Sequence, residues 1–362
     1  MDYSLEVAKQ KEILLRSIYN LHAKSEDMLQ KTRPLLRFQR GIGMVTKQHV
    51  HQLTQTIADM CHSLDNIENL LFFRQNNLVQ TIQNFGECQS EGITGIHCSP
   101  SGTIYTTSSS SPWVRILNSS GQIHSSLLCT EWGKAKQYFF PEDVTLTGAG
   151  LVAVTDLVNG VVRIFNPYAK FSMGEWLNIG KMVSPRGIGV NPFGQLLVAD
   201  YVPGKIHVFA VNRALKLLHS HAISGLSGPR YVCTDPDGNI IVSEEYTDVK
   251  VFGKDNNMIY SLTTKYRHHF GNPAGVCADL HGNILVADEQ NKQVFLFPKQ
   301  GSPVCLVSKG LQKPTGVACS PYGLLLVVDA GECCIKVYKY KVMPYYHHLK
   351  GTSMTGVSKN GN

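Results

Sequence analysis

Ten side chains set out the chemistry this sequence can offer a ligand: Lys136, Tyr138, Arg186, Tyr201, Arg230, Tyr246, Lys265, Arg267, His268 and Lys313. Cations interleaved with aromatic rings can neutralise phosphates and stack on bases, as single-stranded RNA requires. The same residue types anchor protein interfaces, where a few Tyr and Arg side chains carry most of the binding energy. A second series is acidic. Asp156, Asp200, Glu244, Asp288 and Asp329 each stand six residues after a glycine. An acid recurring singly suits the capping of loop N–H groups. A calcium or catalytic centre instead needs several different ligands converging on one point, so this series is read as structural.

The remaining reactive types point away from catalysis. His219 with His221, His268 with His269 and His347 with His348 have no matched carboxylate or nucleophile nearby in the sequence, so no acid–base or covalent machinery is indicated. Of ten cysteines, Cys98, Cys233, Cys277, Cys305 and Cys319 sit in apolar runs, and no CxxC pair occurs; reduced, buried thiols are expected. Cys333 and Cys334 are adjacent but lack further ligands at metal spacing. The expectation is a non-enzyme without cofactor or metal.

These residues are positioned by a repeat. The segments PRGIGVNPFGQLLVAD, PRYVCTDPDGNIIVSE, PAGVCADLHGNILVAD and PTGVACSPYGLLLVVD superimpose without gaps, and PEDVTLTGAGLVAVTD and ITGIHCSPSGTIYTTS share the frame more loosely. Their glycines, Gly102, Gly150, Gly194, Gly238, Gly282 and Gly323, recur every 41 to 48 residues. Each unit holds an inner strand, a turn rich in Pro and Gly, a second strand apolar on both faces, and a third such as VVRIF or QVFLF. A weaker fourth run follows, as in KLLHSHAI and MIYSLTT. Four-stranded repeats of this length are propeller blades. Six blades need a closing strand, and LVQTIQNF at 78–85 is placed to pair with IKVYKYK at 335–341.

The P-x-G, G-N-I-L-V-A-D and Q-V-x-L-F elements, clearest in PAGVCADLHGNILVADEQNKQVFLF, resemble the NHL repeat over residues 78–341. The resemblance implies an all-β six-bladed propeller of the kind found in tripartite-motif ubiquitin ligases and RNA-binding relatives. Those proteins use the face holding the ten residues above for protein or RNA partners. The leading expectation is therefore a protein-interaction scaffold, an adaptor recruiting substrates in ubiquitin-dependent degradation. An RNA-binding propeller in post-transcriptional regulation is the alternative.

Residues 1–77 read differently. Val50, Leu53, Ile57, Met60, Leu64, Ile67 and Leu71 alternate spacings of three and four, and Leu78 follows seven residues on with Arg74 interrupting, a heptad stripe that predicts an α-helical, coiled-coil-like segment and a homodimer through residues 46–78. No RING or B-box pattern of Cys and His occurs there. The net charge of +7 is thinly spread, with ten Lys/Arg against eight Asp/Glu in residues 1–85, and is weak support for nucleic acid. With no run long enough to span a bilayer and no signal-like N-terminus, the reading is a cytoplasmic protein. Residues 342–362 are expected to be a disordered tail.

Overall fold

The computed structural model describes residues 75–83, 92–130, 138–167, 177–212 and 217–340. The expected coiled coil and its dimer contact fall on residues before 75 except at their end, where residues 75–77 are not helical and Leu78 opens a strand; the tail and Lys136 are likewise outside the described residues.

Strand β1 (Leu78–Ile82) precedes the first complete blade, which is built of β2 (Ile93–Cys98), β3 (Ile104–Ser108), β4 (Ser111–Leu117) and β5 (Ile123–Leu128). The second blade contains β6 (Pro141–Leu146), β7 (Val152–Asp156), β8 (Val161–Phe165) and β9 (Leu177–Ile179). The third contains β10 (Pro185–Val190), β11 (Leu196–Asp200), β12 (Lys205–Val211) and β13 (Leu217–Ser224). The fourth follows with β14 (Pro229–Thr234), β15 (Ile240–Glu244), β16 (Val249–Phe252) and β17 (Met258–Ser261). The fifth has β18 (Pro273–Ala278), β19 (Ile284–Asp288), β20 (Gln293–Phe297) and β21 (Val304–Val307). The sixth joins β22 (Pro314–Cys319), β23 (Leu324–Asp329) and β24 (Cys334–Lys339) to β1.

Each sheet is antiparallel and ordered from inside to outside, and each inner strand touches the inner strands of both neighbouring blades. The ring is therefore a closed six-bladed propeller. Its second strands, such as LLVAD of β11 and ILVAD of β19, are buried throughout save for Leu324 at the start of β23, which is why they read as unbroken apolar runs. Apolar side chains interleave between blades: Ile241, Val251, Val276, Val286 and Phe297 form one such layer between the fourth and fifth.

Inner strands come close enough to demand glycine. A methyl group on Gly187 would lie 2.6 Å from the Arg230 carbonyl oxygen, and Gly275 faces the Thr315 carbonyl just as tightly. The third position of each inner strand thus faces the next blade. Four blades keep glycine there, at Gly95, Gly187, Gly275 and Gly316, while the others carry Asp143 and Tyr231.

The ring is closed by β1. Leu78 pairs with Tyr338 and Ile82 with Ile335. The segment before it hooks the fifth blade, through Asn76 N–H to the Leu306 carbonyl at 2.7 Å and Ser308 N–H to Asn76 Oδ1 at 2.8 Å. On the other side Gln80 donates to the Ser120 carbonyl of the first blade at 2.7 Å. One departure from the sequence reading lies in the fourth blade. MIYSLTT was expected to be one strand, but it turns at Ser261, whose hydroxyl accepts the Thr264 N–H and caps a helix over Leu262–Tyr266. Ser followed by a short run with buried Leu262 is an N-cap signal that outcompetes strand continuation.

Candidate partner-binding face

Antiparallel pairing sets the start of each inner strand beside the end of the second: Pro185 opposes Asp200, Pro229 opposes Glu244, Pro273 opposes Asp288 and Pro314 opposes Asp329. Loops entering the inner strands and loops leaving the second strands therefore share one face of the ring.

The five recurring acids lie just beneath that face, essentially inaccessible to solvent. Asp200 accepts the N–H groups of Ser184 at 2.7 Å and Val183 at 3.3 Å. Asp288 accepts those of Gly271 and Asn272, Asp329 those of Gln312 and Lys313, and Glu244 that of Ser227. Asp156 accepts the Asn159 N–H in its own loop at 3.1 Å. Four of the five also hold a basic side chain of their third strand. These are Arg163 on Asp156 at 2.7 Å, His207 on Asp200 at 3.1 Å, Lys250 on Glu244 at 2.7 Å and Lys336 on Asp329 at 2.8 Å. A buried carboxylate with charge-assisted donors on both sides is satisfied, which leaves no lone pairs converging on a metal. Among the described residues no group of His, Cys, Asp and Glu could hold a metal ion.

Above these acids the candidate residues form an arc. The Arg186 guanidinium lies 4.3 Å above the Tyr201 ring. Tyr201 donates its hydroxyl to Glu245 Oε2 at 2.5 Å, and this bond to a carboxylate raises the phenol pKa. Arg230 pairs closely with Glu289 and lies 3.9 Å from Glu245, and Lys313 Nζ reaches Glu289 at 3.6 Å. Asn272 ties the arc to the next loop, since its Oδ1 accepts the N–H of Tyr246 at 3.0 Å. That bond holds Tyr246 in a left-handed turn, φ 57°, with its ring 69% exposed.

The arc leaves out three of the nine described candidates. The Lys265 ammonium lies over Tyr260 at 4.2 Å and Tyr266 at 4.9 Å, along the outer side of the fourth blade. Arg267 caps the same helix in a left-handed conformation. His268 packs against Phe270, Phe295 and Phe297, with ring centroids 4.4 to 5.1 Å away; burial lowers its pKa and keeps it neutral. Tyr138 is on the face and half exposed, bridged through its backbone to Thr130.

The axis of the ring is obstructed. Tyr231 of β14 crosses to the opposite blade, where its hydroxyl donates to the Thr94 carbonyl of β2 at 3.0 Å. A cavity of about 540 Å³ in the channel is lined by the ends of the inner strands, among them Cys98, Val190, Thr234, Cys277 and Cys319.

No family model matches the chain. Over 52 residues it is 56% identical to NHL-repeat-containing protein 4 of Mus musculus, and over 51 residues 61% identical to the Homo sapiens protein of that name. Over 54 residues it is 43% identical to the E3 ubiquitin-protein ligase TRIM32 of Homo sapiens. Over these stretches the chain is similar to NHL-repeat proteins.

The matched stretches are 14 to 15% of this chain, and they span 38%, 42% and 8% of those three relatives. Among solved structures, a streptogramin B lyase superimposes with a TM-score of 0.53 at 11% identity, over 73% of this chain and 98% of the other. A protein of unknown function from Bacteroides thetaiotaomicron gives 0.51 at 14% identity, over 74% and 73%. At such identities the likeness is one of fold.

Three features of this propeller escaped the sequence reading. The third-strand cations Arg163, Lys250 and Lys336 had a signal, a basic residue recurring at one place in VVRIF, VKVF and IKVY. Glu245 and Glu289, which the repeat does not single out, join Arg230 and Lys313 of the arc. Val158, Val183 and Val202 project from the face with 82%, 66% and 50% of their surface exposed, and nothing in a sequence distinguishes such valines from core.

Proposed function

We propose that this face docks a protein partner and that the chain is a non-enzymatic interaction scaffold. The observation that carries the reading is the commitment of the central cations. Arg230 is held by Glu289, and Arg186 lies over the ring of a tyrosine bonded to Glu245. A phosphate backbone would have to displace those carboxylates and leave them unpaired, a costly exchange at a half-buried site. Beside the exposed Lys313, the face presents to solvent Val158, Val183, Val202, Tyr138, Phe140 and Tyr246. Several exposed apolar groups on one face, rimmed by polar residues, mark a protein-binding surface. The likeness to an E3 ubiquitin-protein ligase over 54 residues favours a partner in ubiquitin-dependent degradation, with this chain as the adaptor.

The test is affinity capture from cytoplasmic extract on the immobilised full chain, with and without nuclease. Protein partners should survive nuclease and be lost from Tyr246→Ala, whose truncation is expected to cost roughly 1 to 4 kcal/mol of binding as an interface anchor. Partners that vanish with nuclease, together with nanomolar RNA affinity that an Arg186→Glu, Arg230→Glu variant loses while folded, would establish the RNA reading instead.

A further inference from the structure

The inner strands are in register around the ring, so side-chain direction follows position. The fifth residue faces the next blade, as Gly189 does toward Val232 and Cys233. The sixth faces the blade before, as Thr234 does in donating its hydroxyl to the Val190 carbonyl. Six such meetings line the channel. In one of them, between the fifth and sixth blades, both residues are cysteines: Cys277 Sγ lies 3.3 Å from Cys319 Sγ. The neighbouring cysteines find other company, Cys233 packing in the cluster that holds Ala278 and Cys98 in the cluster that holds Ala318.

We propose that Cys277 and Cys319 form a two-thiol modification site that reacts with a low-molecular-weight disulfide and closes to a disulfide between blades. A protein disulfide has its sulfurs about 2.05 Å apart, so the pair needs to approach by little more than 1 Å. Both thiols are free and half-buried, and both line the 540 Å³ cavity through which a small reagent can reach them.

The chemistry balances. One thiolate attacks the reagent disulfide and expels a thiolate, which takes up the proton lost by the attacking thiol. The second protein thiol then attacks the resulting mixed disulfide and releases a second small thiol. Two protein thiols are oxidised and one reagent disulfide is reduced to two thiols. The hydrogen bond between the pair and their burial raise the Cys277 thiol well above its ordinary range, so exchange should be slow at neutral pH and faster in mild alkali.

The experiment treats the full chain with oxidised glutathione at pH 7 and pH 9, followed by peptide mapping. The expected result is a cross-link between the peptides containing Cys277 and Cys319, a raised thermal midpoint, and reversal of both by dithiothreitol. Cys277→Ser and Cys319→Ser, each checked for an unchanged reduced melting curve, should lose the cross-link and trap a glutathione adduct on the remaining cysteine. Modification confined to other cysteines at both pH values would overturn the proposal. So would a cross-link that leaves the melting midpoint unmoved, because that bond would not join folded blades.

Discussion

Asp143 occupies a place where four of the six inner strands have glycine, and this one carboxyl sets a pH dependence. Burial pushes its pKa up to about 7, against the pull of the Ile188 and Val144 N–H groups that it accepts at 2.9 Å. Between about pH 4 and 7 the folded chain binds a proton there that the unfolded chain releases, so the group's contribution to stability falls as pH rises through that window. Asp143→Asn removes the titration. The stability of wild type relative to this variant is expected to drop by up to about 4 kcal/mol from pH 4 to 8, at 1.36 kcal/mol per pKa unit; thermal melts at intervals of one pH unit measure it. A difference that stays flat would mean that the carboxylate is charged throughout. The acids after the second strands make the opposite test. Asp200 accepts two loop donors, and Asp200→Ala strands the Ser184 and Val183 N–H groups, which should cost about 1 to 3 kcal/mol in chemical denaturation. Both readings were open to the sequence to different degrees. The recurrence of Asp200 and its equivalents announced a repeated backbone task, and the departures at Asp143 and Tyr231 were visible as breaks in a glycine column. That Tyr231 would span the channel to Thr94 was not legible, because the diameter of the ring depends on all six blades at once.

At the level of elements, alternating and unbroken apolar runs located the inner, second and third strands, since a buried blade leaves those segments no other solution. The outer strands were less legible. Their faces are half solvated, as in LLHSHAIS of β13, where only Ile223 is buried, and apolar pattern then carries little information. The helix at Leu262–Tyr266 diverted Lys265 and His268 from the face, although their place in a loop before an inner strand suggested it. The closing strand was legible as an apolar segment at the right distance from the last blade. Ile82 is buried opposite Ile335 and packs with Ile93, Leu117 and Val337. Ile82→Asp buries a charge at the joint, and it should lower stability by roughly 3 kcal/mol or more. An unchanged melting midpoint would show that the ring holds without β1.

For the whole molecule, the decisive property is that charge on the binding face is largely spent internally. Three arc cations, Arg186, Arg230 and Lys313, stand against two carboxylates, Glu245 and Glu289. Partner affinity should therefore change only severalfold between 50 and 200 mM salt. A ligand held by six or more phosphate contacts would lose about a thousandfold or more over the same range, so one salt titration separates the two classes. The route of the chain through the clasp has a mechanical corollary. Because β1 and β24 are antiparallel, the residue that opens β1, Leu78, lies beside Tyr338 near the end of β24. The chain enters and leaves the ring at the same corner. Tension applied between the two flanks would peel this pair apart one hydrogen bond at a time rather than shear all its bonds together. The propeller should yield first, and at low force, at its own seam.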